Sequence, residues 1–176
     1  MRAVPITVTA LAAAFVLTAC GGGDDSSSGG EKSKAASGSA CAVGDLGMEV
    51  GPVNAAPAAG DTGNVTVTLT NKGAECTLEG FPKVELEAGD STTAVPRDEA
   101  AEAPKLTLPE QGTASFTITY VRAEEGGSQS LAVKTVKYGL SEGSADQDFP
   151  WSYGDVALKD EKTPDASVSA FQQAGD

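Results

Sequence analysis

The chain has 176 residues, 40% of them apolar, 21% charged and 5% aromatic, enough for one modest domain plus some unburied chain but too little for two ordinary domains. It contains no histidine, which excludes an imidazole base, an imidazole metal ligand and a Ser-His-Asp relay. Lys and Arg number 12 against 25 Asp and Glu, a formal charge of −13, so a phosphate backbone is repelled and no nucleic-acid partner is expected.

Residues 1–19 read as an export signal: one basic residue, Arg2, then a mostly apolar run to Leu17, then small residues up to Cys20. Leu17-Thr18-Ala19-Cys20 resembles the lipobox of bacterial lipoproteins, in which the thiol is joined to diacylglycerol and the chain is cut just before it. The residue types fit that chemistry, because cleavage at a membrane face needs small side chains and the acyl donor needs a thiol nucleophile. The resemblance implies lipidation at Cys20, the lipid bilayer as a partner, and a place on the outer face of the cytoplasmic membrane. Two or three acyl chains at about 0.8 kcal/mol per buried methylene make durable anchors where one is marginal. Two alternatives stand beside it. An uncleaved transmembrane helix would have only about 15 to 17 residues before Cys20, short of the roughly 20 needed, and plain secretion would use Leu17-Thr18-Ala19, a less good match to an Ala-x-Ala site.

Residues 20–40 then form a tether behind Cys20. From Gly21 to Ala40, 6 Gly and 6 Ser make 12 of 20 residues, and no apolar side chain is larger than Ala. A disordered coil of that composition spans about 25 Å root-mean-square, with a stretched limit near about 70 Å. Asp24 and Asp25 are read as solvated charges.

Residues 41–176 carry the fold, and they are acidic, with 22 acidic and 9 basic residues. Alternation sets one face of each segment against the other: Val65, Val67 and Leu69 against Thr66, Thr68 and Thr70; Val84 and Leu86 against Glu85 and Glu87; Ala114, Phe116, Ile118 and Tyr120 against Ser115, Thr117 and Thr119. From Leu131 to Leu140 the apolar parity shifts, which predicts one long strand with a bulge between Val133 and Val136. Weaker strands are expected at 46–50, 92–95, 106–108, 154–158 and 166–171. Turn residues separate the segments at Asn71-Lys72-Gly73, Ala88-Gly89-Asp90, Pro109 to Gly112, Glu125-Gly126-Gly127 and Gly139 to Gly143. With no helical period of useful length, the expected fold is all-β, an immunoglobulin-like antiparallel β-sandwich of about seven to nine strands.

With Cys20 taken by lipid, Cys41 and Cys76 are left as an even pair in an exported chain, for which a disulfide is the default. Closing that loop of 36 residues stabilises by about 4 kcal/mol on the chain-entropy model. No Cys-x-x-Cys spacing supports a redox centre.

The stretch Asn64 to Leu86, NVTVTLTNKGAECTLEGFPKVEL, combines a strand, an Asn-x-Gly turn, Cys76, Leu78, Gly80-Phe81-Pro82 and a second strand. It resembles DUF4232, a family of unknown function common in exported lipoproteins of actinomycetes. Leu108 to Phe116, LPEQGTASF, is similar to that family's Pro/Gly turn and next strand, and Cys41 stands where the family often has an early cysteine. The resemblance covers roughly residues 41 to 121 and implies an immunoglobulin-like sandwich outside a membrane, with no activity and no catalytic residues to carry across. Read physically, Asn71 and Gly73 suit positive φ in a tight turn, Pro82 stiffens the start of the Val84 strand, and Phe81 is expected as a core plug beneath the turn.

The remaining cluster is Asp146-Gln147-Asp148-Phe149-Pro150-Trp151-Ser152-Tyr153, with the only tryptophan. Asp146, Asp148, Phe149, Trp151 and Tyr153 could form a ligand or partner contact, rings supplying amphipathic area and carboxylates accepting from hydroxyls. Alternatively, the three rings at alternating positions form one buried face of a strand. A calcium loop lacks its Gly and closing Glu, a Ser-x-x-Lys is absent from the folded region, and neither a cofactor nor a metal is expected. The function expected is therefore a non-catalytic binding or interaction module at the cell envelope, meeting an envelope protein or ligand through loops at one end of the sandwich. The alternative is an envelope hydrolase using paired carboxylates on wall glycan.

Overall fold

Alternating threonines and apolar residues build the two longest central strands, because β-branched side chains suit the pleat and a period of two sorts them onto opposite faces. The computed structural model describes residues 38–140 and 147–174. Within them, a turn of 3-10 helix, Val43–Asp45, precedes thirteen strands, and there is no α-helix among the described residues. The strands are β1 (Leu46–Asn54), β2 (Thr62–Asn71), β3 (Cys76–Glu79), β4 (Lys83–Ala88), β5 (Ser91–Ala94), β6 (Lys105–Leu108) and β7 (Thr113–Val121). They continue with β8 (Ser130–Leu131), β9 (Thr135–Gly139), β10 (Gln147–Pro150), β11 (Val156–Ala157), β12 (Ala166–Val168) and β13 (Gln172–Gln173).

One sheet has the order β1-β2-β7-β12, with β13 also on β7; a second has the order β10-β9-β4-β5; β11-β8 and β3-β6 form separate pairs. Every strand pairing is antiparallel. The two larger sheets share one core. Val65, Val67 and Leu69 of β2 and Phe116, Ile118 and Tyr120 of β7 are buried, as are Val84 and Leu86 of β4 and Val136 and Tyr138 of β9. The Phe116 ring meets Tyr138 of the other sheet at 5.5 Å and Phe171 at 6.0 Å. Each such side chain contributes about 1.5–3 kcal/mol through burial. Sheets meeting through their apolar faces are consistent with a β-sandwich. Burial also pushes the Tyr138 hydroxyl pKa up to about 12, because the phenolate would have to leave water.

The expected all-β antiparallel character holds, but the strand count exceeds seven to nine because four segments, β8, β11, β12 and β13, are only two or three residues long. The kinked strand expected over Leu131 to Leu140 is instead two strands in different sheets, β8 pairing with β11 and β9 with β4 and β10. The break is local. Val133 N donates to Leu131 O at 2.8 Å and Lys134 N to Glu87 O at 2.9 Å, so the chain folds back on itself and enters the second sheet. A bulge does occur in β1, where pairing jumps from Val50↔Val67 to Val53↔Val65 around the cis Gly51-Pro52 peptide.

The outer faces of the two sheets differ. On β2 and β7 hydroxyls lie side by side, Thr66 Oγ1 at 3.1 Å from Thr117 Oγ1 and Thr119 Oγ1 donating to Asn64 Oδ1 at 2.8 Å. On β4 and β9 charges pair, Lys83 with Glu85 at 2.9 Å and Lys137 with Glu87 at 2.6 Å. The hydrogen bond to Glu87, and then its charge, raise the Lys137 pKa.

Candidate functional site

Gly80 ends the β3 segment with φ +89°, a backbone that glycine adopts at no steric cost. Its carbonyl accepts from Phe171 N at 3.1 Å, which ties the turn to the end of the chain's fold. Pro82 and Val84 then point inward, and Phe81 is left half-buried beside them. This corrects the expectation of a core plug: the turn gives the inward position to the proline, and the ring emerges at the surface. The Arg97 guanidinium lies over that ring, 5.6 Å from its centroid, within the range of a cation–π contact.

Phe81 and residues Pro96, Arg97, Asp98, Glu99 and Ala101 line a cavity of about 500 Å³. Their loop is held in place. Asp98 N donates to Val168 O and Val168 N to Pro96 O, both at 2.9 Å, and Asp98 Oδ1 accepts from Ala100 N at 3.0 Å, an Asx turn. The lining thus mixes apolar side chains with side chains of both signs of charge, on a loop anchored by main-chain bonds. Sequence reasoning passed over Arg97 and Glu99; the available signal was a charged run, Arg97-Asp98-Glu99, following Pro96, together with an aromatic between a turn glycine and a proline.

A second group of cavities lies among loops, about 440 Å³ and about 200 Å³, with Arg122 and Ala123 in the walls of both. Here the charged groups are engaged in building the loops. Arg122 Nη1 donates to Ala56 O at 3.0 Å and Pro57 O at 3.2 Å. Asp155 Oδ2 accepts from Gly126 N at 3.1 Å and Ser130 Oγ at 3.2 Å. Among the described residues no group of three or more acidic or Cys side chains could hold a metal ion.

The sequence-selected residues fall as follows. Cys20 and Asp146 lie outside the described residues. Cys41 and Cys76 are joined, S–S 2.08 Å and Cα–Cα 4.9 Å, with Cys41 N donating to Thr77 O at 2.9 Å alongside. Asp148 is exposed and paired in register with Lys137. Phe149 and Trp151 are buried, so these rings do not form an exposed platform. The chain leaves β10 at Pro150 and turns inward: the Trp151 indole donates to Gly154 O at 2.7 Å and its ring packs edge-on against Tyr120 at 4.9 Å and Tyr153 at 4.8 Å. Tyr120 Oη donates to Tyr153 O at 2.9 Å and accepts from Ala56 N at 3.3 Å, so the half-buried Tyr153 is held by its backbone.

Asn71 also departs from expectation. Positive φ falls at Gln111, +64°, rather than at Asn71 or Gly73. Asn71 is instead fully buried, its Nδ2 donating to Ala74 O, Leu108 O and Pro109 O at 2.9, 3.0 and 3.1 Å and its Oδ1 accepting from Gly73 N at 2.9 Å. The residues of the expected turn signature are thus knotted through one amide. The sequence profile of the family described as Domain of unknown function (DUF4232) matches residues 41–172. The chain belongs to the DUF4232 family. No curated protein matches the chain in sequence. Cys41, Cys76, Asn71 and Phe81 all lie within the DUF4232 match.

Proposed function

We propose that this DUF4232 chain is an exported lipoprotein, anchored through Cys20 to the outer face of the cytoplasmic membrane, whose immunoglobulin-like sandwich is a non-catalytic binding module. The observation that carries the binding reading is the anchored cavity lined in part by the half-exposed Phe81. Rigid aromatic surface left partly in water within a fixed concavity is where association gains most, because no ordering of the loop is needed on binding. The anchoring reading is supported by Leu17-Thr18-Ala19-Cys20 and by the Gly/Ser-rich tether behind it.

The test uses the full chain produced in an exporting bacterium fed an alkyne-tagged fatty acid. Label on the wild type and none on Cys20→Ala is expected, with the variant lost from the membrane fraction. Label retained by Cys20→Ala, or none on the wild type, overturns the anchoring. Incubation of the purified protein with wall glycan is expected to release no product, and release would replace the binding module with the hydrolase. Surface crosslinking in live cells should then recover an envelope partner with the wild type that is lost with Phe81→Ala.

A further inference from the structure

Sheet edges present unpaired main-chain groups, and the edges of the two larger sheets are not equally protected. β1 is broken by the bulge at the cis Gly51-Pro52 peptide. β10 carries Asp148 and ends at Pro150. β12 is covered by the 96–98 loop, where Asp98 N donates to Val168 O and Val168 N to Pro96 O. Bulges, charge, proline and a covering loop each blunt an edge. β5 has none of them. Its four residues, Ser91, Thr92, Thr93 and Ala94, are uncharged, pair with β4 alone among the described residues, and are exposed except for the half-buried Thr93.

The register decides which groups β5 offers. A two-residue turn, Gly89-Asp90, joins it to β4, with Gly89 at φ +59° and a ladder running from Ala88↔Ser91 to Glu85↔Ala94. In an antiparallel pair, hydrogen-bonded and non-hydrogen-bonded positions alternate. Val95 N donates to Val84 O at 2.9 Å, so Ser91, Thr93 and Val95 turn their main-chain groups toward β4, and Thr92 and Ala94 turn theirs outward. Two outward residues flanking a central one are self-complementary about a two-fold axis through Thr93. Thr92 of each copy then meets Ala94 of the other, for four main-chain hydrogen bonds in all. The two Thr93 residues face each other as a non-hydrogen-bonded pair, and cross-strand threonine pairs are favourable.

We propose that the β5 edge pairs antiparallel with β5 of a second copy of this chain, joining two β10-β9-β4-β5 sheets into one. The inference goes beyond the binding-module reading and leaves the Phe81 cavity aside. An uncharged strand offers nothing to a partner selected by charge, and a second acidic copy is tolerated best where neither brings a carboxylate. In this register Asp90 falls opposite Pro96 of the other copy, whose missing N–H ends the pairing there. Four hydrogen bonds make a weak contact. The proposed anchor and its tether of about 25 Å favour it by concentrating copies at one surface.

The test uses the full chain as Cys20→Ala, which removes both the proposed anchor and its thiol, so that failure strikes the pairing and not the anchoring. Thr93→Cys in that chain, purified and oxidised at about 1 mM, is expected to form a disulfide-linked dimer. Non-hydrogen-bonded partners stand about 4.5 Å apart at Cα, within disulfide reach. Ser91→Cys controls for random collision: it is more exposed than Thr93, yet in this register its two copies lie about 14 Å apart. Its initial rate of dimer formation should be lower by about tenfold or more. Thr92→Pro and Ala94→Pro, each added to Thr93→Cys, remove two of the four bonds and spare the β4 ladder. Each should slow coupling by about tenfold or more, with Trp151 fluorescence melts confirming the fold. Absence of the Thr93→Cys dimer, equal rates at positions 91 and 93, or a rate unmoved by a folded proline variant would each overturn the proposal.

Discussion

Replacing Asn71 tests whether the family signature is held by hydrogen bonding rather than by turn conformation. Asn71→Ala removes an amide that is fully buried and serves Ala74 O, Leu108 O, Pro109 O and Gly73 N. Its Nδ2 has only two protons for three carbonyls, so it makes two full bonds, and Oδ1 makes a third. The Leu108 carbonyl lies in the buried part of the site, where an unsatisfied group costs about 1–3 kcal/mol; the others border solvent and cost about 0.5–1.5 kcal/mol each. The expected loss is therefore about 2–6 kcal/mol, out of a total stability of about 5–15 kcal/mol for a domain. Asn71→Asp keeps the shape and removes the donor, turning a carboxylate toward three carbonyls, so it should destabilise at least as much. Urea unfolding followed by Trp151 fluorescence, with the disulfide intact, reads both; at a slope of about 2 kcal/mol/M the midpoint should fall by about 1–3 M. If Asn71→Asp unfolded near the wild-type midpoint while Asn71→Ala did not, the donor account would be refuted.

Cys41→Ser with Cys76→Ser should lower stability by about 4 kcal/mol on the loop-entropy model, read as a fall in the urea midpoint that reducing the wild type reproduces. Gly63→Ala should cost about 1–3 kcal/mol by overpacking, because its Cβ would meet Tyr120 Cε1 at 2.5 Å and Ala56 N at 2.8 Å; an unchanged melting temperature would sink this. Tyr138 holds its proton in the folded state up to about pH 12 and loses it near 10 when unfolded. Between those values the folded state binds more protons, so stability falls as pH rises. The loss should approach about 2–3 kcal/mol by pH 12, and Tyr138→Phe should remove that component from alkaline melts.

Much of the architecture was legible because β2, β4 and β7 each have one wet and one dry face, and a period of two then assigns every residue a side. Alternation could not say where one strand stops serving one sheet and begins serving another. The parity shift between Val133 and Val136 is the same in sequence whether a bulge or a change of sheet produces it, and only Val133 N to Leu131 O and Lys134 N to Glu87 O decide the matter. Alternation reads Phe149, Trp151 and Tyr153 as the buried face of a strand without excluding a platform, since an aromatic serves either. Phe81 was misjudged for a related reason: aromatics are usually inside, and the Gly80 turn that throws it outward is a backbone fact that composition does not carry. The pairing of Cys41 with Cys76 was simpler, because setting Cys20 aside as the expected lipidation site left one partner for each.

The molecule's polar surfaces also bear on where binding belongs. On the β2-β7 face, Thr66 is bonded to Thr117 and Thr119 to Asn64; on the β4-β9 face, Lys83 is paired with Glu85 and Lys137 with Glu87. At the Arg122 loops the guanidinium holds Ala56 and Pro57, and Asp155 holds Gly126 and Ser130. A ligand at any of these places must first break a bond the protein makes with itself, so its net gain per polar contact is small. The Phe81 ring is different. Its unmet requirement is apolar, and water displaced from it by an aliphatic group is a gain that breaks no hydrogen bond. With the loop already fixed to Val168, little ordering cost opposes that gain. The same backbone turn that takes Phe81 out of the core therefore leaves apolar ring surface partly open to water on this DUF4232 domain.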